Sequence, residues 1–186
     1  MSERNTAYRS LHDLGIATWF GGSLMGCVGL NGSAATVGDT EMDTARIASV
    51  GWKRWTPVNA GAIAVHLIGG AGVLAANAAR VKNQQGVAAS TVAKMAVTAA
   101  AMAATAYSGV LGAKIELVSS PEPSHREKAA KHPVDVEHAR KQLAVVQWLI
   151  PALTGTVVVL NALHGEQQRP SQQGAGMIKK WAANLL

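Results

Sequence analysis

Cysteine is all but absent. Cys27 is the only one in 186 residues, so no disulfide can form within the chain, and cysteine usage says nothing about compartment. Phenylalanine occurs once and tyrosine twice. Charge is missing altogether from two long stretches, Leu14–Val37 and Val58–Ala79, where the surface helix of a soluble domain would carry a charged face. The motifs of common catalytic machinery are missing too. There is no glycine loop followed by Lys and Ser/Thr to cradle phosphate, no His-Glu-x-x-His, and no serine elbow. Met25 and Cys27 lie two apart and so point to different faces of a helix, which leaves a metal without a ligand set. The chain therefore reads as a protein without enzymatic activity, cofactor or metal. Nucleic acid is not an expected partner despite a net charge of +6, because no aromatic-and-basic groove or base-reading motif is present.

What the chain does have is four apolar stretches, Leu14–Val37, Val58–Ala79, Met95–Ala113 and Leu143–Leu163, each near the ~20 residues that cross a bilayer. They predict an all-α integral membrane protein, an antiparallel four-helix bundle, with residues 1–166 as the membrane domain. The opening run is too long for a cleaved leader and reads as a retained span. Residues 167–186 read as a flexible tail ending in MIKKWAANLL, a short amphipathic helix for the membrane surface. The spans contain more Ala, Gly, Val and Thr than Leu, Ile and Phe, which keeps the mean hydropathy at only +0.13. Met95–Ala106 is mostly alanine and is expected inside the bundle, since such a helix inserts weakly when it faces lipid.

Within the first span, Gly22 and Gly26, then Gly29 and Ser33, lie four apart and make a flat seam of the kind that lets membrane helices approach closely. Asp43 or Thr44 is expected to cap a short helix, and Pro57 to open the second span. Trp52, Lys53, Arg54 and Trp55 before that span, and Trp181 in the tail, suit the head-group layer. The longest connection is Leu117–Gln142, and its later half is expected to run as helix directly into the fourth span. Pro151 lies inside that span, where a membrane helix tolerates it.

Polar groups within spans are candidate functional sites. His66, about eight residues into the second span, has three readings: a hydrogen bond to a neighbouring helix, a proton relay or substrate contact, or ligation of a haem or metal. A membrane haem needs two facing axial ligands, and His164, at the end of the fourth span, is the only other candidate. Alternating spans also bring His12, Asp13, Asn77, Arg80, Asn161, His164 and Glu166 towards one membrane face, as a polar mouth or simply as span ends. Asn31, Asn59, Tyr107 and Lys114 form a thinner set on the other face. Gln147 and Asn161 are expected to hydrogen-bond between helices. Four spans put both termini on one side, with eight Lys/Arg and three acidic residues against nine and eight on the other. Cations alone do not orient the chain. The excess positive charge on the terminal side points to cytoplasmic termini in the cell membrane, facing anionic lipid.

The segment HDLGIATWFGGSL, His12 to Leu24, resembles the first span of a four-helix membrane family of unknown function related to platinum-resistance transmembrane proteins. VVVLNALHGE, Val157 to Glu166, looks like the asparagine-bearing last span of that family. The first segment also resembles the copper-resistance D family of membrane proteins. The resemblance covers about a third of the chain. It implies four spans and a transport or tolerance role, and carries over no catalytic residue. Two functions follow: a structural or accessory subunit of a membrane complex, binding other membrane helices or its own copy, or a small-molecule or ion transport-related protein with a cavity near His66.

Overall fold

The computed structural model describes residues 5–78, 87–131, 133 and 135–166, and among them there is helix and connection but no strand. The predicted tail with Trp181, and Arg80, lie outside the described residues. Helix α1 (Thr6–Met25) passes into one wider turn, Gly26–Leu30, and continues as α2 (Asn31–Val37). The backbone stays helical across both junctions, and the Asn31 N–H reaches the carbonyl of Gly26, five residues back. Gly38 turns the chain to extended backbone and ends the run.

The next helix, α3 (Glu41–Ala76), is a single rod of 36 residues. Its start corrects the expected cap. Thr40, not Asp43 or Thr44, takes the N-cap position and accepts the Asp43 N–H at 3.1 Å, with Glu41 and Asp43 placed against the positive helix end. Pro57 likewise does not open a new helix but sits inside α3. The anchor segment and the second span are thus one element, because a proline removes only one N–H donor and the long rod on either side holds the geometry. Helices α4 (Val87–Ser119), α5 (Pro123–Lys131) and α6 (Val136–Glu166) follow, the last continuous from the long connection through Pro151 as expected.

Three helices, Glu41–Ala76, Ala88–Ser119 and Val136–Leu163, are long and apolar enough to cross a membrane. The run from Thr6 to Val37 is not among them: the 20-residue α1 carries Arg9, His12 and Asp13 in its first half, and α2 has only seven residues. Only 17%, 22% and 22% of the three apolar windows is buried within the protein. Leu14, Ile68, Val145 and Val159 are among the large apolar side chains left on the outside, as expected of helices solvated by lipid.

Helix α1 packs along α3, α4 along α6, and α1 also lies on α6. Ile16, Trp19, Ala62, Ala101, Ala104, Ile150 and Val157 make the main core, and Leu111, Ile115 and Ala139 a smaller one. The alanine run of α4 is corrected here. Thr98, Ala101 and Ala104 are buried, but Ala96, Ala99, Ala103 and Ala106 are exposed between the exposed Val92 and Val110. Only one side of that helix goes inside, since alanine is spread around its whole circumference and the packing of α6 covers one face.

Candidate functional site: a polar cluster drawn from four helices

The site begins at the crossing of α1 and α3. Each helix brings a His-x-x-Gly segment to it, His12–Gly15 and His66–Gly69. The two are used reciprocally. A Cβ on Gly15 would lie 2.5 Å from the His66 nitrogen and 2.6 Å from the Ala62 carbonyl oxygen, and one on Gly69 would run into the His12 nitrogen and the Tyr8 carbonyl. Only glycine lets the two backbones come this close. Further along, Gly22 is covered by the Trp55 ring, Gly26 by the Trp52 ring, and Gly51 by Leu30. Contacts that rise in number along α1 therefore fall along α3.

This approach buries both histidines, His12 to 6% and His66 to 3% exposure. Their rings lie 4.1 Å apart at 37°, and Trp19 presents an edge to His66 at 6.4 Å. His66 Nδ1 lies 3.0 Å from the backbone oxygen of His12. A carbonyl can only accept, so this ring carries its proton on Nδ1 and donates it across the crossing. His66 thereby meets the first of its three sequence readings, a hydrogen bond to a neighbouring helix.

On the other side of His12, three polar atoms close a triangle. His12 Nδ1 is 3.2 Å from Asp13 Oδ1, and Asn161 Nδ2 of α6 stands 3.3 Å from the ring nitrogen and 3.4 Å from the carboxylate. The Asn161 amide serves the pair whether or not His12 Nδ1 bears a proton, donating to the ring nitrogen in one case and to Asp13 in the other. Lys94 of α4 supplies the nearby positive charge, within electrostatic reach of Asp13 and both histidines. Groups from α1, α3 and α6 thus meet at one level, with the charge of Lys94 on α4 nearby.

A second network ties the opposite end. Asn31 Nδ2 donates to Gln147 Oε1 at 2.7 Å, and Trp52 Nε1 donates to Asn31 Oδ1 at 2.9 Å, joining α2, α3 and α6. Pro151 has no N–H to give the carbonyl of Gln147 one turn earlier, and Cys27 Sγ donates to that oxygen at 3.1 Å. The lone cysteine thus replaces the donor that the proline removes.

The predicted residues divide as follows. The structure brings His12, Asp13, His66 and Asn161 together. Asn77 closes α3, its amide donating to the Val73 carbonyl at 2.8 Å. The side chain of His164 lies outside the described residues, as does Arg80. Of the predicted seam, Gly22 and Gly26 face indoles, while Gly29 and Ser33 are exposed. Of the anchors, Trp52 and Trp55 are half-buried over that seam, Lys53 pairs with Glu116 at 3.1 Å, and Arg54 is exposed. Tyr107 donates to Gln142 at 2.8 Å, and the buried Oδ1 of Asn59 has no partner among the described residues. No three His, Cys, Asp or Glu among the described residues converge as a metal site would need. Sequence reasoning missed Lys94, which reads as a link residue before the third span, and it missed the paired crossing. The repeated His-x-x-Gly was the available signal. Compared with protein-family models, curated proteins and solved structures, the chain matches none.

Proposed function

We propose that this protein is a structural or accessory subunit of a membrane complex. In this reading the run Thr6–Val37 serves as a fourth crossing, the four helices form an antiparallel bundle, and both termini lie on the cytoplasmic face. The observation that supports it is the outer face of α4. Val92, Ala96, Ala99, Ala103, Ala106 and Val110 recur at alternating spacings of four and three and are all exposed. A flat alanine stripe gains little from lipid contact, whereas it lets a second helix approach closely enough for extensive van der Waals contact. Purification of the full chain in mild detergent tests it. The expected result is a stoichiometric membrane partner that is released by Ala103→Leu while the chain itself stays folded. A chain that purifies without any partner, and whose assembly is untouched by Ala103→Leu, overturns the reading.

The polar cluster favours a second reading, a transport-related protein. Two buried histidines on facing helices, with an exposed carboxylate and an amide beside them, are the kind of material a proton or solute path uses. Reconstituted protein that carries a solute or protons, with a rate that changes in His66→Ala, supports it over the first.

A further inference from the structure

A groove of about 510 Å³ runs between the α1–α2 limb and the start of the apolar part of α3. It is a shallow groove: Gly29 leaves its floor open, the indoles of Trp55 and Trp52, seated over Gly22 and Gly26, flank it, and Ser33 and Arg54 are its exposed polar lining groups. We propose that this groove seats one anionic phospholipid, its phosphate on Arg54 and Ser33 and one acyl chain over Gly29 and against the outer faces of the two indoles.

Charge carries the choice of occupant. Arg54 is the only charged residue lining the groove, and no carboxylate lines it. The adjacent Lys53 is already engaged by Glu116, whereas Arg54 has no ion pair among the described residues. Arg54 lies one turn before Val58, where the uncharged stretch of α3 begins, so its long side chain belongs at the boundary of hydrocarbon and head groups. Guanidinium is the side chain best shaped for a phosphate. Trp52 spends its N–H on Asn31 and so offers the groove an apolar ring, the surface an acyl chain packs on. A second protein helix laid in the same groove would cover this charge without neutralising it. A free phosphate would use Arg54 but leave the apolar length empty.

The inference rests on the membrane placement and not on the accessory-subunit reading, since the groove and the alanine face lie on different helices. Tryptophan quenching by lipids with brominated tails tests it, on the full chain carrying Trp148→Phe and Trp181→Phe and reconstituted in vesicles. Tails of one kind are presented on an anionic phosphatidylglycerol or a zwitterionic phosphatidylcholine head group. The expected result is about a fivefold preference for the anionic lipid. That preference falls to near unity in Arg54→Gln, which removes the charge, and in Gly29→Leu, which fills the floor. A Cβ at Gly29 meets only the flexible end of Met25, so the second variant keeps the fold. Lys53→Gln retains the preference. Equal quenching by the two lipids, or a preference that survives Arg54→Gln or Gly29→Leu, overturns the proposal. Failure of this test with a partner still released by Ala103→Leu leaves the accessory reading intact, and the converse separates them equally.

Discussion

The α1–α3 seam and the outer face of α4 are built from the same small residues, yet one is filled and the other bare. At the seam, each missing side chain is matched by something large from across the crossing: Gly15 by the His66 backbone, Gly22 by Trp55, Gly26 by Trp52, Gly72 by Tyr8. On α4, Ala96, Ala99, Ala103 and Ala106 stay exposed. Small residues alone therefore do not create an interface. They create the possibility of close approach, and what lies opposite decides whether it is used. At the seam the aromatic and imidazole groups are supplied by the same chain, so the contact is internal. On α4 no such group is supplied by the described residues, and this is the face the proposed partner would cover.

Substitutions at the two faces should separate sharply. The largest effect is expected at the crossing itself. Gly69→Ala forces a Cβ into the backbone of His12 and Tyr8, atoms that cannot rotate away, and should cost about 3 kcal/mol or prevent stable folding. Denaturant unfolding in detergent measures it, and an unfolding midpoint equal to that of the parent would refute the seam as described. His66→Ala should cost roughly 1–2 kcal/mol, from the lost donation to the His12 carbonyl and the lost ring contact. His66→Asn restores an N–H at nearly the position of Nδ1 and should recover part of that loss. Equal stability of the alanine and asparagine variants would show that the hydrogen bond contributes nothing. The smallest effect on stability belongs to the bare face. Ala103→Leu should change the unfolding free energy of the isolated chain by less than about 0.5 kcal/mol, because the added atoms touch no other part of the protein. Its signature is a change in assembly mass alone, and a loss of stability comparable to that of Gly69→Ala would erase the contrast.

The same contrast explains how much of the protein was legible beforehand. The apolar stretches announced helices but not their lengths: the expected spans sit on helices of 36, 33 and 31 residues, because helix continues through charged residues beyond the apolar part. Boundaries that depended on local chemistry moved: α3 is capped by Thr40 and passes through Pro57, since tertiary packing along a long rod outweighs one missing N–H. His66 was visible as a polar group in an apolar span, and Asn161 as its counterpart on another. Lys94 was not, because a lysine near a span end looks the same whether or not a carboxylate of another helix lies near it. The role of Cys27 was equally hidden, since its partner is a backbone carbonyl freed by a proline 124 positions later.

By itself, the sequence determined an all-helical, membrane-type chain with glycine and alanine in place of bulk, and it predicted four spans where three helices prove long and apolar enough. Period, hydropathy and charge are local properties, and they survive without knowledge of neighbours. The tertiary structure alone decided which small residues are covered, which histidine holds its proton against a carbonyl, and which alanines remain outside. Those are questions of register between helices, and register is settled by pairwise fit at each crossing, as in the reciprocal His-x-x-Gly pair.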